Sequence, residues 1–183
     1  MRTLLWIWLG LNSVLLNAQD LADWEAALGV DLFEQLPEFG YRELPVEARP
    51  THDYHYRVYS PKEDLELRYF FRPEVADDPV SYHPHVQVGI IVGNLAVNDD
   101  EHYISGRELN AARTTGLAAD FAVEYFLKPK ERLVGDWQHA RVLMAHRAGH
   151  GTVYVFTLFN DPNNPALETR KLPFAFVPEP PAE

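Results

Sequence analysis

Two apolar runs decide the fold, Arg141-Val142-Leu143-Met144-Ala145-His146-Arg147 and Thr152-Val153-Tyr154-Val155-Phe156-Thr157-Leu158-Phe159. The segment between them, Ala148-Gly149-His150-Gly151, is rich in glycine, which is typical of a turn. The two runs therefore predict a β-hairpin. Apolar residues occupy both alternating sets of positions in each run, so we expect these strands in the centre of a sheet that is covered on both faces.

The alternation also assigns side chains to the two faces of this hairpin. We expect one face to carry Val142, Met144, Val153 and Val155, and the other to carry Leu143, Ala145, Tyr154 and Phe156.

Further strands precede this hairpin. Tyr54 to Tyr59 and Leu65 to Arg72 alternate between apolar and polar residues on either side of the turn Ser60 to Asp64, which predicts a second hairpin. Val86 to Val92 and Phe121 to Leu127 are expected to form two more strands.

Two helices complete the expected fold. Leu21, Trp24, Leu28 and Leu32 form one apolar stripe, which predicts an amphipathic helix within residues 19–40. Ser105-Gly106-Arg107-Glu108 matches a capping box and predicts a helix after it that crosses the sheet.

The resulting fold class is α+β, with a mostly antiparallel sheet of about six strands, the N-terminal helix and the one crossing helix. The sheet and the crossing helix are expected to form a single domain over residues 41–161. Residues 162–183 are rich in proline and are expected to form an extended tail.

Residues 1–18 have the composition of an export signal. Arg2 precedes a mostly apolar run from Leu4 to Leu16, which is too short to cross a membrane as a helix, and Ala18 is a small residue at the expected cleavage site. The mature chain is therefore expected to begin at Gln19, to have no integral membrane span and to be a periplasmic or secreted bacterial protein. A retained N-terminal anchor is the alternative. The chain has no cysteine, which excludes a lipoprotein.

The charge of the chain argues against a nucleic-acid partner. Lys and Arg number 16 against 27 Asp and Glu, for a net charge of −11. Phosphate-backbone binding requires clustered cations, and the only cluster is Lys128 to Arg132, which contains Glu131.

Motifs for catalysis and for cofactor binding are absent from the sequence. There is no cysteine nucleophile, no G-x-S-x-G elbow and no glycine-rich phosphate loop. The sequence thus favours a non-enzymatic protein without a cofactor.

Histidines suggest one alternative, a metal site. His83 and His85 are two residues apart and would share a face of a strand, and His52 with His55 could complete the ligand set. Solvated histidines that bind no metal are the competing interpretation.

The polar face of the first hairpin is the candidate protein-binding surface. Aromatic residues and arginines are enriched in interfaces. The residues of this face are His55, Arg57, Tyr59, Glu66, Arg68 and Arg72. An ordinary solvated sheet face is the competing interpretation.

The order of hairpin, strand, helix and three closing strands over Tyr54 to Asp161 resembles the Mog1/PsbP-like fold. The stretches that suggest this are Tyr56-Arg57-Val58-Tyr59-Ser60-Pro61 and His146-Arg147-Ala148-Gly149-His150-Gly151-Thr152-Val153-Tyr154-Val155-Phe156. The resemblance implies an accessory or interaction role and assigns no functional residue. A cone-shaped sheet like that of the NTF2-like family is the rival fold.

Two functions therefore remain open. The first is an exported accessory protein that binds an unknown protein partner. The second is an extracytoplasmic protein that binds a small ligand or a metal, including the case of a hydrolase.

Overall fold

A large antiparallel sheet with helices on both faces makes up the described chain. The structure is a computed structural model that describes residues 21–32, 40–47, 54–75, 83–99, 101–169 and 172–178. The strands are β1 (Val30–Asp31), β2 (Arg42–Glu43), β3 (Tyr56–Ser60), β4 (Leu65–Pro73), β5 (Ser105–Glu108), β6 (Phe121–Leu127), β7 (His139–Arg147), β8 (Gly151–Phe159) and β9 (Ala175–Phe176). The helices are α1 (Leu21–Leu28), α2 (Pro84–Leu95), α3 (Ala111–Gly116), α4 (Glu131–Val134) and α5 (Ala166–Thr169).

Seven strands form the main sheet in the order β2-β3-β4-β8-β7-β6-β5, and every neighbouring pair is antiparallel. A separate two-stranded ribbon joins β1 to β9. The α+β class and the antiparallel sheet are confirmed, although about six strands were expected. β8 lies in the middle of the sheet and all nine of its residues are buried, as the apolar pattern predicted.

Each face of the sheet is covered by its own hydrophobic cluster. On the first face, α1, the β1–β9 ribbon and Leu117 pack over Leu143, Ala145, Val153 and Val155. On the second face, α2 and α4 pack over Val142, Met144, Tyr154 and Phe156. Complete burial of an aromatic side chain such as Phe156 contributes about 1.5–3 kcal/mol, so these two clusters supply much of the stability.

The register of the central hairpin differs from the expected one. Met144 pairs with Tyr154 and Leu143 with Val155, so the expected grouping of Val142 and Met144 with Val153 and Val155 was wrong. A turn of four residues was assumed. The turn has three, because Gly151 already pairs with Arg147, and one residue of register moves a whole strand to the other face.

The segment expected as a strand over Val86 to Val92 is helical. Pro84 occupies the first turn of α2, where its fixed φ and missing N–H are tolerated. The buried residues of α2 recur with helical spacing and pack on the second face: Pro84, Gln87, Val88, Val92 and Leu95. Tertiary packing of this stripe outweighs the β-propensity of its valines and isoleucines.

The expected capping box at Ser105 to Glu108 is instead the edge strand β5. Arg107 pairs with Glu124 of β6, and the ring of Tyr125 lies over Gly106, where a Cβ atom would collide with it. The crossing helix begins later, as α3. Its N-cap is Asn110, whose side chain accepts a hydrogen bond from the N–H of Arg113 at 3.0 Å.

Both ends of the described chain differ from the expected organisation. The N-terminal helix ends at Leu28, because Gly29 adopts a φ of 57° and the chain turns into β1. The segment 162–183 was expected to be an extended tail, but its described part contains α5 and β9, and Phe174 and Phe176 enter the core. The expected leader, residues 1–18, lies outside the described residues.

Candidate functional site

The predicted binding surface on the first hairpin is not an open face, since two of its six residues are buried and the other four are partly buried. Glu66 and Arg68 are only 2% and 1% exposed, so the prediction of an open polar face is wrong for these residues. Trp137 and the two last residues of α4, Leu133 and Val134, cover them. The polar pattern of the strand predicted a face open to solvent. Charged side chains that pair with one another can, however, also be buried.

These buried charges form one closed network. Oε1 of Glu66 accepts hydrogen bonds from Nε of Arg57 (2.8 Å) and Nε of Arg68 (2.6 Å), and its Oε2 accepts from Arg57 and from Nε1 of Trp137. The Arg68 guanidinium also donates to the carbonyl oxygens of Leu133 and Val134. Burial alone would raise the pKa of Glu66, but the hydrogen bond from Arg57 and the charge of Arg68 hold that pKa below its ordinary value. The network thus joins β3 and β4 to α4 and Trp137.

Three further residues of that predicted surface, His55, Tyr59 and Arg72, lie in separate environments. His55 stacks on Trp24 with ring centroids 4.2 Å apart, and its Nδ1 accepts the N–H of Phe71. Tyr59 lies beside Trp137 and under the guanidinium of Arg42. Arg72 is partly buried near the end of β4.

The predicted metal ligands are not brought together in the described residues. His52 lies outside them, His83 is the N-cap residue of α2, and the ring of His85 lies 4.0 Å from that of Phe121. No group of three or more His, Cys, Asp or Glu side chains in the described part of the chain could hold one metal ion. The pair His83 and His85 was assigned to a strand, and on a helix residues two apart do not share a face.

The solvent side of α2 is the first candidate site. We use "α2 outer face" for Val86, Gly89, Ile90 and Gly93. Val86 is 59% exposed and Ile90 is 58% exposed, and no described residue lies within 4 Å of a Cβ atom placed on either glycine. α2 has no charged residue in its twelve positions. An apolar, uncharged and exposed helix face is unusual on a chain with a net charge of −11.

The second candidate site, which we name the strand-end cleft, is an open cavity of about 580 Å³. Strand ends border it, because Ser105 at the start of β5 pairs with Phe126, and His139 at the start of β7 pairs with Phe159 at the end of β8. Its apolar wall consists of Phe126, Leu127, Ala140, Phe159, Pro162 and Leu167.

A chain of three polar side chains lies at one side of this cleft. Nδ1 of His102 lies 2.8 and 2.9 Å from the two carboxylate oxygens of Asp99, so it carries the proton. Nε2 of His102 then accepts a hydrogen bond from Nζ of Lys128 at 3.1 Å. The hydrogen bond from His102 lowers the pKa of Asp99. Asp99 also accepts a hydrogen bond from the backbone N–H of Glu101. This row of three side chains is therefore anchored to the loop before β5.

A third polar cluster surrounds Glu124, which is 1% exposed. Its Oε2 accepts hydrogen bonds from Arg107, and Arg113 and Arg141 lie within ion-pairing distance of the carboxylate. Oε1 has no hydrogen-bond donor within the described residues, and the cavity beside it measures about 20 Å³. That volume holds about one water molecule, so this cluster has no room for a larger ligand.

Neither candidate site was found from the sequence. The signal for α2 was present, since Pro84 and the helical spacing of Val88, Val92 and Leu95 indicate an amphipathic helix. The cleft gave no local signal, because its residues come from four strands that are distant in sequence.

No protein-family model matches the sequence, and comparison with curated proteins and with solved structures gave no match. None of the described helices is long and apolar enough to cross a membrane.

Proposed function

We propose that this chain is an exported, non-enzymatic accessory protein that binds another protein through the α2 outer face. The observation that carries the proposal is the exposure of Val86 and Ile90 on a helix without any charge. Isolated apolar residues on a surface need no explanation, whereas a continuous apolar helix face supports a protein contact.

The two glycines on this face support the same conclusion. A glycine inside a helix costs about 0.5–1 kcal/mol relative to alanine. Neither Gly89 nor Gly93 has a positive φ, and each has open space where a side chain would stand. The described residues of this chain therefore give no reason for glycine at either position, while close approach of a second helix does.

The partner that fits is an apolar helix with medium-sized aliphatic side chains. Such side chains fill the gaps above Gly89 and Gly93, and Val86 and Ile90 pack on either side of them. A charged partner surface would be desolvated here without any opposite charge on α2 to pair with it.

We expect the double substitution Gly89→Gln and Gly93→Gln to have opposite effects on folding and on binding. Glutamine is a good helix former, so the free energy of unfolding should rise by about 1 kcal/mol. The bulk of the two side chains should block the partner. Binding is measured with a photoreactive amino acid in place of Asn94, an exposed residue near the end of α2, in cells of the source organism.

The control for this experiment carries the photoreactive residue in place of Lys62, which is exposed in the turn between β3 and β4. The proposal requires an adduct from position 94 and none of the same size from position 62, and its loss in the double variant. An adduct that persists in the double variant, an adduct made of two copies of this chain, or no adduct at all would contradict it.

Export is the other part of the proposal, and the apolar run from Leu4 to Leu16 supports it. We expect protein purified from its own host to begin at Gln19, because signal peptidase cleaves after a small residue such as Ala18. N-terminal sequencing checks this. A chain that begins at Met1 would instead support a retained anchor.

A further inference from the structure

We infer that the strand-end cleft binds an amphipathic organic monocarboxylate, with the carboxylate at Lys128 and the apolar body along Phe126, Leu127 and Phe159. This site goes beyond the proposed protein contact and shares no residue with the α2 outer face. Either inference can therefore fail without the other.

The size and lining of the cleft suit a small organic molecule. Its volume of about 580 Å³ falls within the range of ligand sites, roughly 300–1,000 Å³. Phe159 is 3% exposed and stacks with His139 at a centroid distance of 5.5 Å, so this part of the wall is rigid. A fixed apolar wall favours a ligand with a hydrocarbon or aromatic body.

Lys128 supplies the charge that orients the ligand. Its ammonium group can donate three hydrogen bonds, and the described structure gives it one, to Nε2 of His102. It has no ion pair within the described residues, although the chain carries 27 acidic residues. Two donors of a half-buried cation are thus left for an anionic oxygen. A carboxylate bound there would form charge-assisted hydrogen bonds.

His102 fixes the position of this cation. Because both oxygens of Asp99 hold the Nδ1 proton of His102, Nε2 remains an acceptor directed at Lys128. The lysine side chain, which is otherwise flexible, is thereby positioned at the cleft before a ligand arrives.

Two acidic residues limit the charge of the ligand. Glu101 and Glu168 also line the cleft, and both are exposed. A dianion such as a phosphate monoester would be repelled by them, whereas a single carboxylate can be balanced by Lys128. A purely cationic ligand would be attracted by the two glutamates but repelled by the ammonium group of Lys128.

The test compares octanoate with two probes of the same chain length, 1-octanol and octylammonium, and with acetate, by isothermal titration calorimetry on the purified protein. We expect octanoate to bind more tightly than 1-octanol by at least about tenfold, because a hydrogen bond between two charged groups is stronger than one to a neutral hydroxyl. Octylammonium should bind most weakly of the three, and acetate should give no measurable binding since it lacks the apolar body.

Lys128→Met retains most of the length of the side chain and removes its charge. In this variant octanoate should lose at least about tenfold in affinity while 1-octanol is unchanged. Lys130→Met is the matched control, because Nζ of Lys130 donates to the carbonyl of Asn94 and Lys130 does not line the cleft. Thermal unfolding of both variants confirms that they fold.

Equal affinities for octanoate and 1-octanol would overturn the inference. So would an unchanged octanoate affinity in Lys128→Met, or no binding of octanoate up to its solubility limit. Preferential binding of octylammonium would assign the cleft to cations and would also overturn it.

Discussion

Replacement of Glu66 with alanine is expected to lower the free energy of unfolding by about 3–5 kcal/mol, the cost of breaking a buried ion pair. The carboxylate accepts hydrogen bonds from Arg57, Arg68 and Trp137, and its removal leaves the fully buried guanidinium of Arg68 without a counter-charge. Urea unfolding followed by circular dichroism measures the loss. A protein of ordinary stability, about 5–15 kcal/mol, would become marginal.

Glu108→Ala provides the matched control, since Glu108 is an exposed glutamate on the edge strand β5. It should change the free energy of unfolding by less than about 0.5 kcal/mol. The double variant Glu66→Leu with Arg68→Met should be more stable than Glu66→Ala, because no buried charge is then left unpaired at Arg68. Equal stability of Glu66→Ala and Glu108→Ala would refute the structural role of the network.

The carboxylate of Glu66 also makes the free energy of unfolding depend on pH. The pKa of Glu66 is lowered in the folded protein, so the unfolded chain takes up this proton first as the pH falls. The stability that Glu66 contributes is present above the ordinary carboxyl pKa of 4.5 and is lost as the pH falls through the lower folded value. In Glu66→Ala, the free energy of unfolding should therefore change less with pH over this acidic range than it does in the unchanged protein.

Gly151→Ala is the second substitution with a large expected effect, a loss of about 3 kcal/mol or more. Gly151 has a φ of 126°, which side chains rarely tolerate, and an added Cβ would collide with backbone atoms of Arg72, Pro73 and Glu74. Backbone atoms of a paired strand cannot rotate away as a flexible side chain can. Chemical denaturation gives the size of the effect.

Gly149→Ala separates the two causes of this loss, which are the positive φ of the glycine and the collision of the added Cβ with neighbouring backbone. Gly149 lies in the same turn with a φ of 78°, but none of the described residues comes within 4 Å of its added Cβ. Only the conformational cost applies there, about 1–2 kcal/mol. If Gly149→Ala were as damaging as Gly151→Ala, the collision with β4 would not be the cause.

The strands that the sequence predicted correctly are those with strong alternation. Tyr56 to Ser60, Leu65 to Pro73 and Phe121 to Leu127 each place apolar residues on a covered face, and the pattern alone indicates this. The central hairpin was found for a different reason, its two continuous apolar runs on either side of a glycine-rich turn. Its register was not, because the sequence does not state whether three or four residues form the turn around Gly149.

α2 and β5 were mispredicted because local signals favoured a different structure. Val86 to Val92 is rich in β-branched residues, which favour a strand, whereas the helical spacing of Val88, Val92 and Leu95 matches the packing on the second face of the sheet. Ser105 to Glu108 contains no apolar residue and becomes a strand because β6 offers it a free edge. Such long-range contacts also account for the buried network, since Glu66 and Trp137 are 71 residues apart.

The β1–β9 ribbon makes one hydrophobic cluster depend on a segment that is synthesised late. Val30 pairs with Phe176, so a strand near the start of the described residues has its partner near their end. The cluster on the first face of the sheet stays incomplete until β9 has been made, because Phe174 and Phe176 belong to it. A growing chain therefore keeps part of this apolar face exposed while the residues between β1 and β9 are synthesised.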